Sequence, residues 1–165
     1  MKKLLLLLSI FVLTGSYIWE GPRYVPLLMD RSALETSVTL VPSSMPITQP
    51  GRIYLFSHWI LLVEQYKGIH FIDNTDPANP VRKAFLRVPG CQNMSVGNGV
   101  LYVDNAVDLV GVRIDYSNLE ARVLARSRMV LPEITNPDGY IPWDFNRANR
   151  PDNTEIVGWI NKAEL

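Results

Sequence analysis

One cysteine, Cys91, is all the thiol chemistry in this 165-residue chain. A lone cysteine forms no internal disulfide and lacks a second thiol for a zinc site, so it reads as a small buried apolar residue. Histidine is nearly as scarce. His58 falls in a predicted turn and His70 in mid-strand, neither is spaced with a serine or cysteine as a nucleophile and base would be, and no catalytic residue is assigned. Surplus positive charge is absent too: 16 Lys and Arg stand against 16 Asp and Glu. Without a basic excess, nucleic acid is not an expected partner.

The long apolar run of a membrane span is also missing. Met1-Lys2-Lys3 precedes an apolar run from Leu4 to Leu13, too short to cross a bilayer comfortably and of the size of an export signal. Residues 1–16 are therefore expected to be a signal segment. Leu13-Thr14-Gly15-Ser16 resembles a lipoprotein processing box at three of four positions, with Ser16 where the acylated cysteine belongs. A serine hydroxyl does not replace the sulfur in that chemistry, so lipidation is not expected. Without Lys2 and Lys3 the balance is 14 basic to 16 acidic residues.

What the chain has is β pattern, and it has it twice. Ile60-Leu61-Leu62-Val63-Glu64 is answered by Val100-Leu101-Tyr102-Val103-Asp104, an offset of 100 − 60 = 40, and Ile72-Asp73 by Ile114-Asp115, an offset of 42. The difference places two extra residues in the middle loop of the second copy. The first copy predicts strands over 52–56, 59–64, 68–73 and 82–88; the second predicts them over 93–96, 100–104, 109–115 and 121–130. Asn98-Gly99 between two of these is a strong hairpin signal. Residues 51–131 are thus expected to hold two four-stranded antiparallel repeats, 51–90 and 91–131. The fold class is all-β.

The flanks look different. Residues 17–50 contain Pro22, Pro26, Pro42, Pro46 and Pro50 and read as a tether. Within it, Ser32 and Glu35 have capping-box spacing, predicting a short helix over 32–38 with Leu34 and Val38 on one side. Residues 132–165 read as an irregular tail with one strand near Glu155 to Trp159.

Alternation in the last strand of each copy puts Lys83 and Arg87, then Arg122, Arg126 and Arg128, on one face. Ala84, Leu86, Val88, Val123, Ala125 and Met129 fall on the other. Long outward cations discourage edge pairing. His70, between Ile69 and Phe71, is expected on the solvent side of its strand. Asp73 and Asp76 are calcium-ligand candidates by type but lack the regular ligand spacing of a calcium loop, and an Asx turn is the preferred reading. No metal or cofactor is expected. Tyr66 in a loop and Trp143 in the tail are the aromatic ligand-binding candidates.

The stretch Gly68-Ile69-His70-Phe71-Ile72-Asp73-Asn74-Thr75-Asp76-Pro77-Ala78-Asn79-Pro80 resembles the signature of LVIVD-repeat proteins. Those repeats pair an apolar strand ending in Asp with a Ser/Thr-Asp-Pro-x-Asn-Pro turn. In this chain Ile69, Phe71, Ile72, Asp73, Asp76, Pro77, Asn79 and Pro80 carry the signature. Val112, Ile114 and Asp115 keep part of it in the second copy, which lacks both prolines. The resemblance includes the lipoprotein-like leader of the Bacteroidetes members.

That resemblance implies blades of a β-propeller in an exported or cell-surface protein, in a family with no assigned reaction. Two blades do not close a ring, so the fold expected is a partial propeller that self-associates through open sheet edges. The function expected is that of a non-catalytic cell-envelope repeat protein, a binding or scaffold module for an envelope protein or glycan. Its expected place is the periplasm, outer membrane or surface of a Gram-negative-type bacterium, membrane-associated only through signal or anchor. The alternative is a truncated fragment of a longer propeller whose binding or hydrolytic site lies in missing blades.

Overall fold

The computed structural model describes residues 21–165, so the signal segment and Ser16 lie outside the described residues. Eleven strands run in chain order: β1 (Tyr24–Asp30), β2 (Thr39–Val41), β3 (Pro50–Phe56), β4 (Trp59–Glu64), β5 (Gly68–Asp73), β6 (Val81–Arg87), β7 (Met94–Gly97), β8 (Val100–Asn105), β9 (Asp108–Asp115), β10 (Glu120–Ser127) and β11 (Thr154–Asn161). A five-residue helix α1 (Arg31–Glu35) joins β1 to β2, and 3-10 turns occupy Trp143–Phe145 and Lys162–Glu164. All strand pairs are antiparallel. The protein is all-β, in three sheets ordered β2-β6-β5-β4-β3, β10-β9-β8-β7 and β1-β11, none closed.

Both copies form their meanders for the reasons the pattern gives. Trp59, Leu61 and Val63 of β4 alternate inward with Ile69 and Phe71 of β5, and they meet Leu101 and Val103 of β8 and Val110, Val112 and Ile114 of β9 in one apolar cluster. Two sheets therefore share a single core, each contributing one face. Phe56, Trp59, Phe71 and Tyr116 close one end of it, the Tyr116 ring centroid lying 5.5, 5.5 and 6.0 Å from the other three. At the β7–β8 turn Asn98 and Gly99 take φ of 51° and 71°, as the hairpin turn requires.

Corresponding turns stack at the opposite end of the core. Tyr66 (φ 64°) lies in the β4–β5 turn and Ala106 (φ 56°) in the β8–β9 turn. Gly90 wedges against the second of these. A Cβ on it would lie 2.6 Å from the Ala106 nitrogen, and its own φ of 77° is one an L side chain rarely adopts. The Tyr66 amide donates to Cys91 O at 2.7 Å and the Gly90 amide to Tyr66 O at 2.9 Å, so the link between the copies is fastened to the first copy's turn. Cys91 is fully buried there, and burial together with the Asp104 charge pushes its thiol well above the usual range.

Several expectations are corrected. The offset of 42 is not a longer loop: the β8–β9 turn has only Ala106 and Val107 between its strands, whereas β9 is eight residues long against six for β5. The region 17–50 is no tether over its described part, since β1 pairs with β11 along the whole strand and β2 pairs with β6. Consequently β6 is not an edge strand. The helix runs over Arg31–Glu35 with Asp30 as N-cap and no side-chain cap bond. Ser32 lies inside the helix rather than before it, and Glu35 pairs with Arg31 and Arg128 instead.

His70 is the clearest reversal, being fully buried rather than solvent-facing. Its side of the sheet is outward by alternation, with Leu62 and Phe85 directly opposite it. Because β2 and β3 lie at opposite edges of one sheet, the segment 42–49 has to cross that sheet. It runs diagonally over the outer face, held where Arg82 donates to Met45 O at 2.9 Å and where Thr48 and Gln49 reach Glu64. Glu64 Oε1 accepts the Gln49 amide at 2.7 Å, the Thr48 amide at 2.9 Å and the Thr48 hydroxyl, while Oε2 lies 3.2 Å from His70 Nε2. Burial opposes ionisation of Glu64, but these donors outweigh it and bring its carboxyl down to about 2.

Candidate binding site: an arginine-lined cleft

The β1–β11 ribbon packs over the stacked turns with a second apolar cluster of Leu34, Ala106, Ile134, Ile156, Val157 and Trp159. Trp159 Nε1 donates to Ile134 O at 3.0 Å, tying the 130–153 segment down. Along the flank of this joint runs a network of charged side chains contributed by α1, the start of β9, the end of β10, the tail segment and β11.

Asp108 is its centre, with no side-chain exposure. Arg31 Nη1 and Nη2 donate to its two oxygens at 2.9 and 2.6 Å, Arg126 Nη1 donates at 2.7 Å, and the Met129 amide at 3.0 Å. Burial opposes the Asp108 charge, yet the two guanidiniums and the amide hold its carboxyl below the usual range. In turn Asp108 raises Arg31. Arg126 also donates to Asn105 Oδ1 at 2.7 Å and to the carbonyls of Leu34 and Glu35 at 3.3 and 3.2 Å, so one side chain ties the second sheet to the end of α1.

That placement of Arg126 overturns the expected basic stripe. A register shift between Val123 and Ala125 in the β9–β10 ladder puts Arg126 opposite Val110, an inward residue. A one-residue bulge exchanges the two faces of a strand beyond it. Arg122 and Arg128 stay exposed, and Val123 is 42% exposed rather than buried.

The second half of the network centres on Glu155, whose side chain is 4% exposed. Arg147 Nη2 donates to Glu155 at 2.9 Å and to Glu133 at 2.8 Å; Arg150 Nη2 donates to Glu155 at 3.1 Å and also to Glu133. Arg150 Nε donates to Thr154 O at 3.2 Å. Its Nη1 is buried and finds no hydrogen-bond partner among the described residues. Between the two halves opens a cleft of about 310 Å³, lined by Arg31, Arg128, Arg147, Arg150, Asp152 and Glu155 among others.

The residues singled out from sequence lie elsewhere. Tyr66 is half-buried and lines a separate cleft of about 460 Å³ with Trp159, Lys67 and Thr48, and its ring packs on Gly158. Trp143 is 74% exposed on a 3-10 turn and is not part of that cleft. Asp73 accepts the Thr75 amide at 3.0 Å and its hydroxyl at 2.6 Å, and Asp76 accepts the Ala78 amide at 3.1 Å and Asn79 Nδ2 at 2.8 Å. Asp115 does the same for Ser117 and Asn118 in the second copy. These carboxylates shape turns, and among the described residues no group of three or more His, Cys, Asp or Glu side chains is arranged to hold a metal ion.

Comparison with family models, with curated proteins and with solved structures gives no match. Among the described residues no helix is long and apolar enough to cross a membrane.

Proposed function

We propose that the chain is a non-catalytic scaffold module of the cell envelope, built from two LVIVD-like blades, which holds a protein or glycan partner and pairs with a second copy through an open sheet edge. The observation carrying this reading is the state of β3. Among the described residues it pairs only with β4, and it presents Ile53 and Leu55 at 65% and 69% exposure on its outward face. An unpaired strand with apolar side chains and free backbone donors is a template for another strand.

Equivalent architecture in the two copies supports the blade reading. Each is a four-stranded meander, and each closes its third strand with an aspartate that caps the following turn, Asp73 in one and Asp115 in the other. Cys91 and Glu64, two of the groups capable of chemistry, are engaged in structure. Cys91 is buried, Glu64 fastens the crossing segment, and the Ser57 hydroxyl meets His58 Nδ1 only at 3.4 Å, exposed and between sequence neighbours.

In cells, a photo-reactive amino acid at position 55 tests the reading. Discrete cross-linked species in the envelope fraction are expected, and a probe at exposed Arg113 on the other sheet gives none of them. Recovery of uncross-linked chain alone, or of the chain in the cytosol, contradicts the proposal.

A further inference from the structure

We propose that the cleft between α1, the end of β10 and the start of β11 is a binding site for a phosphate group, free or esterified to a small carrier. This goes beyond the scaffold reading, and a phosphate titration succeeds or fails independently of partner capture.

Charge gives the first reason. Among the titratable side chains lining the cleft are four arginines, Arg31, Arg128, Arg147 and Arg150, against two carboxylates, Asp152 and Glu155. Counting all groups in the ion-paired network, five arginines (the same four and Arg126) face four carboxylates, Glu35, Asp108, Glu133 and Glu155. Glu35, Asp108 and Glu133 are each shared by two guanidiniums, and Glu155 by three. Within the network the arginines outnumber the carboxylates by one, and Asp152, which lines the cleft but joins none of these pairs, is the lining carboxylate left to oppose that charge.

Arg150 supplies the second and independent reason. Its side chain is 1% exposed, its Nε and Nη2 are satisfied, and its Nη1 is left without an acceptor. A buried guanidinium nitrogen without a partner is costly, and native structures keep few such groups without a use. Arg150 lies in the cleft wall, so an oxyanion in the cleft supplies the missing acceptor with a small side-chain adjustment.

Rim geometry completes the set. Arg128 and Arg147 have side chains 65% and 46% exposed and bear donors not used by Glu35, Glu133 and Glu155. Planar guanidiniums around a compact anion match the oxygen geometry of phosphate. A volume of about 310 Å³ is at the small end of ligand pockets, which favours a single phosphate group over a polymer.

Calorimetric titration of the purified chain with inorganic phosphate and with glycerol phosphate, at ionic strength held constant with sodium chloride, tests the proposal. Saturable binding of either is expected, the tighter one telling whether the natural group is free or esterified. Arg128→Gln, at an exposed side chain, is expected to weaken binding about tenfold. Asp152→Asn removes a like charge from the rim and is expected to tighten it several-fold, which no purely structural role of the network produces. Heats no larger than those of matched chloride, or equal affinities in wild type and both variants, overturn the proposal.

Discussion

Arg126 Nη1 lies 2.7 Å from Asp108 Oδ2, a contact between the end of β10 and the start of β9 that exists only because the β10 bulge turns Arg126 inward. With Arg31 donating to both oxygens, the Asp108 carboxylate joins the second sheet to α1 and the β1–β11 ribbon.

Replacing Asp108 by Asn leaves two mostly buried guanidiniums facing a neutral amide that is itself shielded from solvent. Truncating one partner of a buried ion pair costs about 3–5 kcal/mol. Urea unfolding of Asp108→Asn is expected to show a loss in that range, whereas Arg122→Gln, at an exposed position of the same strand, changes stability by less than about 0.5 kcal/mol.

Glu64 makes stability pH-dependent. Its carboxyl is lowered from 4.5 to about 2 in the folded chain, so its contribution is complete above the unfolded value and is lost as pH falls from about 5 towards 2. The difference corresponds to about 3 kcal/mol. Unfolding free energies measured from pH 6 to pH 3 should fall less steeply in Glu64→Gln, and the variant should already be the less stable protein at neutral pH.

Gly90 tests the seam between the copies. A methyl group there meets the Ala106 backbone at 2.6 Å while the residue holds φ at 77°, and neither neighbour is a flexible side chain. Gly90→Ala is expected to lower stability by about 2–4 kcal/mol. Gly99→Ala, which has a similar φ of 71° but open space around it, should cost about 1 kcal/mol, and the difference between the two in thermal unfolding measures the contact rather than the dihedral.

Strands β3 to β10 were legible because period-2 alternation and turn residues are local signals, and two copies gave the same parse. Strand β1 was not. Its Pro26 reads as a breaker, and its partner is β11 at the far end of the chain, where Pro26 stands opposite Trp159. His70 was misplaced because alternation tells which face a residue takes, and cannot tell that the segment 42–49 covers that face. Arg126 was misplaced because a bulge leaves no mark in composition. The cleft was invisible for a further reason: Arg31, Arg128 and the pair Arg147 and Arg150 come from separated segments, brought together by the β1–β11 pairing and by the Asp108 contacts that tie the end of β10 to α1.

The molar mass of the chain in solution, by light scattering across a concentration series, tests the scaffold account most directly. A discrete dimer is predicted for the wild type, and a monomer with unchanged far-ultraviolet circular dichroism for Ile53→Lys combined with Leu55→Lys, which places two charges on the open edge of β3. A wild type that stays monomeric at every concentration, or a charged variant that dimerises as well as the wild type, contradicts it.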